Sequence, residues 1–252
     1  MCLNADGPGG RDAYALIESV FGAGSIESPD ADHASPFRHV SEDIDAHVGA
    51  HFVFSIHRDT DLDRGRVDRQ RMEIKVFDKS DDYLKARQGS AFTYAWRVKL
   101  AAGMAVSRKA THLFQLKGVG GDDQMPLVTL TGAKRPHGDR LELRHTTGGP
   151  SMTVLADTDF APLRDEWLEV RCQAAFAERG SLAFTVTRPS GQVVLDVAVK
   201  DIDLWRDGEF VRPKWGIYRG LLHKDELRPD EEQVGFANFA VTPGFEPTSD
   251  CR

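Results

Sequence analysis

The sequence predicts an all-β protein, a sandwich of two antiparallel sheets with a short N-terminal helix. Two observations predict it. From His51 onward, short stretches recur between Gly, Pro and Asp punctuation, with almost no helical periodicity separating them. Within those stretches apolar and polar residues alternate, the period of a strand with one face in a core.

The helix is predicted over residues 12–21, where Leu16, Ile17, Val20 and Phe21 fall on one face and Gly22 can stop it. Strands are predicted over 51–57, 69–77, 92–100, 111–117, 127–131, 140–145, 151–155, 167–174, 181–187, 193–199, 215–218 and 234–241. In the first, Phe52, Phe54 and Ile56 form the core face, leaving His51, Ser55 and His57 on the other with Val53. In the second, Gln70, Met72, Ile74 and Val76 suit the core, so Arg69, Arg71, Glu73 and Lys75 form a charged row facing solvent or a groove. Strict alternation in the fourth groups Gln115 and Lys117 with Thr111 and Leu113, and turns His112 inward with Phe114 and Leu116. Near residue 215, Lys214, Gly216 and Tyr218 share a face, and Gly216 removes bulk where a ligand could approach the backbone. Trp96, Trp167 and Trp205 read as core or edge packing, with Trp205 also able to stack on a sugar ring.

At 252 residues, 40% hydrophobic and 28% charged, the chain suits one soluble globular domain spanning 1–252, in which 1–45 is an extension carrying the helix. No apolar run reaches transmembrane length, and the polar, Gly-rich start does not read as an export signal. Cys2, Cys172 and Cys251 are too few and too widely spaced for a metal cluster or a disulfide framework, although Cys2 and Cys251 could pair. With a net charge of −7, the chain disfavours nucleic acid as a partner. Against that balance, the cationic row around Glu73 is a local concentration that implies an acidic ligand.

Arg71-x-Glu73, Gln115-x-Lys117 and Lys214-x-Gly216-x-Tyr218 resemble the three motif strands of the β-jelly-roll polysaccharide lyases, particularly the group of heparin lyase I and the glucuronan lyases. The resemblance runs in motif order over most of the chain. It implies a concanavalin-like β-jelly-roll sandwich and cleavage of a uronic-acid polymer by β-elimination. It also implies that Arg71 and Gln115 bind the uronate carboxylate, that Tyr218 and a histidine handle protons, and that Lys214 supports them. Lys117 stands where alginate lyases of this shape carry histidine, so the histidine must come from elsewhere; His57 is the first choice and His112 the second. Lys117, Lys214, Glu73, Arg69, His112 and Arg219 are then expected to line the substrate site.

The chemistry fits these residue types. The C5 proton of a uronate is weakly acidic while the carboxylate is ionised, and donors such as Arg71 and Gln115 would stabilise the enolate-like transition state by roughly 3 kcal/mol each. A phenol is a poor base in water, and cations such as Lys214, Arg71 and Arg219 would favour its phenolate. No cofactor is required for this chemistry. A structural calcium is compatible with it, but the loop from Asp59 to Asp63 is too irregular to assign as its site. The expected partner is an acidic polysaccharide, with no nucleic acid and no membrane, bound by a monomer; the resemblance favours a secreted protein. Two rivals remain. A glycoside hydrolase would need facing carboxylates, for which Glu42, Asp43 and Asp45 are the nearest cluster. A lectin-like domain would bind acidic glycans in the same trough without cutting them.

Overall fold

The computed structural model describes residues 1–32, 36–245 and 251. In chain order the elements are β1 Cys2–Leu3, α1 Ala13–Phe21, β2 Ile26–Glu27, α2 Pro29–Asp32, β3 Val40–Asp45, β4 Gly49–His57, β5 Arg69–Lys75, β6 Ala91–Leu100, β7 Thr111–Val119, β8 Val128–Arg135, β9 Gly138–His145, β10 Thr153–Asp159, β11 Trp167–Ala175, β12 Gly180–Thr187, β13 Val193–Ile202, β14 Phe210–Gly220 and β15 Glu231–Pro243. One sheet runs β13-β12-β11-β6-β15-β4-β3, with β1 paired to β15; the other runs β10-β9-β8-β7-β14-β5-β2. Neighbouring strands in both are antiparallel. This is the predicted β-jelly-roll sandwich.

Alternation builds the core. Phe52, Phe54, Met72, Ile74, Phe114, Ile217 and Phe236 are fully buried between the sheets. Trp215 sits at the centre, with ring centroids 5.3 Å from Phe239 and 5.8 Å from Phe114. Trp96, Trp167 and Trp205 are buried too, so none is available as an exposed sugar platform. The helix forms where its spacing predicts, capped by Asp12, whose carboxylate accepts from the amides of Tyr14 and Ala15 at 3.1 Å.

The first 45 residues do more than carry a helix. They contribute β1, β2 and β3 to the two sheets. The two-residue strands are too short to show a period, and β3 lies at a sheet edge, where Ile44 stays 67% exposed and no apolar face is needed. Cys2 and Cys251 form a disulfide with Cα atoms 5.6 Å apart, closing nearly the whole chain, while Cys172 is buried and free.

Candidate active site

The three motif strands are neighbours: β14 lies between β7 and β5. Their register sets Tyr218 opposite Arg71 on one side and His112 on the other, and Lys214 opposite Lys75 and Gln115. Separated motifs therefore converge on the outer face of one sheet. Gly216 lies opposite Glu73 at φ +147°, and a Cβ there would lie 2.0 Å from the Met72 carbonyl oxygen. Its missing side chain admits the backbone of β5, not a ligand.

A bulge places the histidine. The β7–β8 register passes from His112 opposite Thr131 to Phe114 opposite Leu130, leaving Leu113 as the extra residue. That residue reverses the alternation, so His112 joins Gln115 on the outer face instead of pointing into the core. Its ring lies 5.8 Å from that of Tyr218, inclined at 25°. Nδ1 of His112 is 2.7 Å from Oγ1 of Thr131, whose hydroxyl donates to Oγ1 of Thr129 at 2.8 Å. In that chain Nδ1 carries the proton and Nε2 keeps its lone pair. Burial, reinforced by the Arg144 charge, pushes His112 down to about 4, so the ring is neutral at pH 7.

His57 is not part of this group. It ends β4 in the opposite sheet, where Nδ1 lies 3.2 Å from Asp61 and Nε2 3.2 Å from Glu231. The alternation that placed it on a polar face could not say which sheet owns that face. Arg219 is also displaced from the predicted site. As the neighbour of Tyr218 in β14 it points the other way, fully buried, donating to Gln70 at 2.9 Å and lying 3.7 Å from Glu232.

The charged row is present but internally neutralised. Glu27 of β2 lies 2.9 Å from Arg71, 2.8 Å from Lys75 and 2.6 Å from Lys214, and also pairs with Arg64. Glu73 lies 2.6 Å from Lys214 and accepts from the Gln115 amide. Arg71 also reaches Asp63 at 3.1 Å. Burial alone would raise Glu27, but Lys214, Arg71 and Lys75 outweigh it and hold the carboxyl far below its usual range; Glu73 is lowered against its own burial by Lys214 and Arg71. Lys117 rims this floor, with Nζ 3.3 Å from the Gln124 carbonyl, and is lowered to about 8 by burial and then by Lys214.

Beside the floor opens a cavity of about 460 Å³ that reaches Tyr218, His112 and Arg69. Arg69 donates to the Tyr218 hydroxyl at 3.1 Å, and the Arg71 guanidinium stacks 4.4 Å from the Tyr218 ring centroid. Arg108, Lys109, Arg135 and Arg144 complete a basic wall, in which Glu142 pairs with Arg135 and Arg144, Glu226 with Arg108 and Asp68 with Arg69. Sequence reasoning missed that wall. The repeat Arg140, Glu142, Arg144 in β9 alternates as β5 does and was the available signal.

No family model and no curated protein matches the chain by sequence. Solved structures do match its fold. An alginate lyase from the marine Aplysia kurodai aligns at TM-score 0.64 and 12% identity, covering 97% of this chain and 98% of that one. An alginate lyase from Klebsiella pneumoniae aligns at 0.59 and 14%, covering 88% and 95%. An endo-β-1,4-glucuronan lyase from the fungus Trichoderma reesei aligns at 0.56 and 15%, covering 87% and 94%. At these identities the likeness establishes a common jelly-roll fold.

Proposed function

We propose that this protein is an endo-acting polysaccharide lyase that cleaves a uronic-acid polymer by β-elimination, with a glucuronate polymer preferred. One observation carries the reading: neutral His112 stacks on Tyr218 at the mouth of a cationic cavity. The solved structures of like fold are alginate and glucuronan lyases, which supports the same reaction class. The Cys2–Cys251 disulfide supports an extracellular site of action, where such bonds persist.

In this reading the uronate carboxylate lies against Arg69, with Arg144 on the far wall. Its charge is thereby reduced before the C5–H bond breaks. Nε2 of His112 accepts the C5 proton, the C–H electron pair becomes the C4–C5 double bond, and the C4–O4 bond breaks. The Tyr218 hydroxyl gives its proton to O4, and Arg69 faces the resulting phenolate. Arg71 and Gln115, engaged by Glu27, Asp63 and Glu73, act from beneath: Arg71 fixes the Tyr218 ring and Gln115 fixes Glu73. Lys214 holds the two floor carboxylates together.

The test is incubation with glucuronan, heparin, heparan sulfate, hyaluronan, alginate and pectate while following ultraviolet absorbance from unsaturated ends. Growth of that absorbance on at least one uronate polymer is expected. Tight polymer binding with no new absorbance and no new reducing ends would replace the lyase with a lectin-like domain. The occupied Arg71 and Lys214 floor favours that second reading, because the protein's own carboxylates already fill it.

A further inference from the structure

We propose a zinc-type metal site built from His39, His57 and Asp61, on the opposite sheet from the cationic cavity. Nε2 of His39 lies 2.8 Å and Nδ1 of His57 3.2 Å from the same oxygen, Oδ2 of Asp61, and all three donor atoms lie within 4.8 Å of one another. Zinc bonds of about 2.0–2.1 Å separate tetrahedral donors by roughly 3.3 Å. Against that spacing the Asp61 oxygen is about 0.5 Å too near Nε2 of His39 and about 0.1 Å too near Nδ1 of His57, while the two nitrogens lie within 4.8 Å of each other.

Each imidazole is aimed from behind. The far nitrogen of His39, Nδ1, lies 3.0 Å from Asp30, and the far nitrogen of His57, Nε2, lies 3.2 Å from Glu231. A carboxylate behind a ligating histidine fixes the ring and raises its basicity, the usual outer shell of a metal-bound imidazole. Asp61 is positioned by its loop, since the buried Gln70 amide lies 2.7 Å, 2.9 Å and 2.8 Å from the carbonyls of His57, Arg58 and Asp61. The Asp61 oxygen also accepts from the His57 amide at 2.5 Å, a contact that can persist beside a metal bond. His39 and Asp61 are fully buried, and the Phe37 ring stacks 4.2 Å from that of His57 as a cover. Asp30, Asp61 and Glu231 place three carboxylates against the two rings. Two nitrogens and one carboxylate suit zinc and its transition-metal neighbours, not calcium, which takes six or more oxygens.

The site would secure both arms that hold Arg71. Asp63, two residues beyond Asp61, pairs with Arg71, and Glu27, three residues before Asp30, does the same. The inference stands whether or not the polymer is cut, because its readout is metal. The full-length protein, freed of metal by chelator dialysis, is titrated with zinc against a chromophoric chelator and separately with cobalt. Expected are one zinc per chain, visible cobalt absorption of tetrahedral intensity, and a 10- to 100-fold weaker affinity in Glu231→Gln, with a larger loss in His57→Gln. Absence of stoichiometric zinc and of the cobalt bands in the unaltered protein would overturn the site and leave a hydrogen-bonded cluster. So would equal zinc affinity in folded His57→Gln.

Discussion

Tyr218 meets a different group on each side: Arg69 at its hydroxyl, Arg71 against its ring and His112 stacked beside it. Tyr218→Phe keeps the ring and both ring contacts but removes the acid. The expected outcome is a fall in kcat of roughly 10²- to 10⁴-fold with KM little changed, read from the absorbance of unsaturated ends. His112→Gln should cost a similar factor, whereas His57→Gln should cost less than tenfold, and the reverse ranking would return the proton to His57. The pH dependence adds an independent check. Because His112 is held at about 4, the acid limb of kcat/KM is expected near pH 4 instead of near 6.5. The stability sign follows. The folded value lies below the unfolded one, so the unfolded chain binds this proton first as pH falls. Stability from the neutral ring is complete above about pH 6.5 and is lost between about 6.5 and 4, which thermal melts across that range would follow in His112→Gln against the parent.

At the scale of elements, β14 does two jobs, since it joins β5 to β7 and carries Lys214 and Tyr218 between them. Gly216 makes that fit, and Gly216→Ala should cost about 1–3 kcal/mol and shift Tyr218 enough to lower kcat, measured by denaturant melts and turnover together. The two-residue strand β2 matters through one side chain. Glu27→Gln leaves Arg71, Lys75 and Lys214 without their shared carboxylate and should destabilise the fold by about 3 kcal/mol, read as a drop in Tm of roughly 10 °C. An unchanged Tm would mean that the floor is neutralised in another way. These elements also show where the sequence could be read. The alternation of β5 was legible because Met72, Ile74 and Val76 mark an apolar inner face against the charged residues between them. His112 was misread because one bulged residue, Leu113, reverses the phase without leaving a composition signal. Glu27 was invisible because a strand of two residues has no period, and its role depends on which strand it pairs with.

For the whole molecule, the disulfide ties β1 to a residue 249 positions away, so its removal releases a loop almost as long as the chain. Cys2→Ser should lower stability by about 2–4 kcal/mol, and reductant should mimic it in the parent but not in the variant. The sequence by itself determined the sandwich, the strands that carry the motifs, and the charged and apolar faces of each. Those follow from local alternation, which a strand enforces wherever it lies. Only the tertiary structure decided that β5, β14 and β7 are adjacent, that His57 and Arg219 face elsewhere while His112 joins Tyr218, and that Glu27 quiets the cationic row. These depend on pairing order, bulges and the choice of sheet, which are settled by long-range packing and carry no local period.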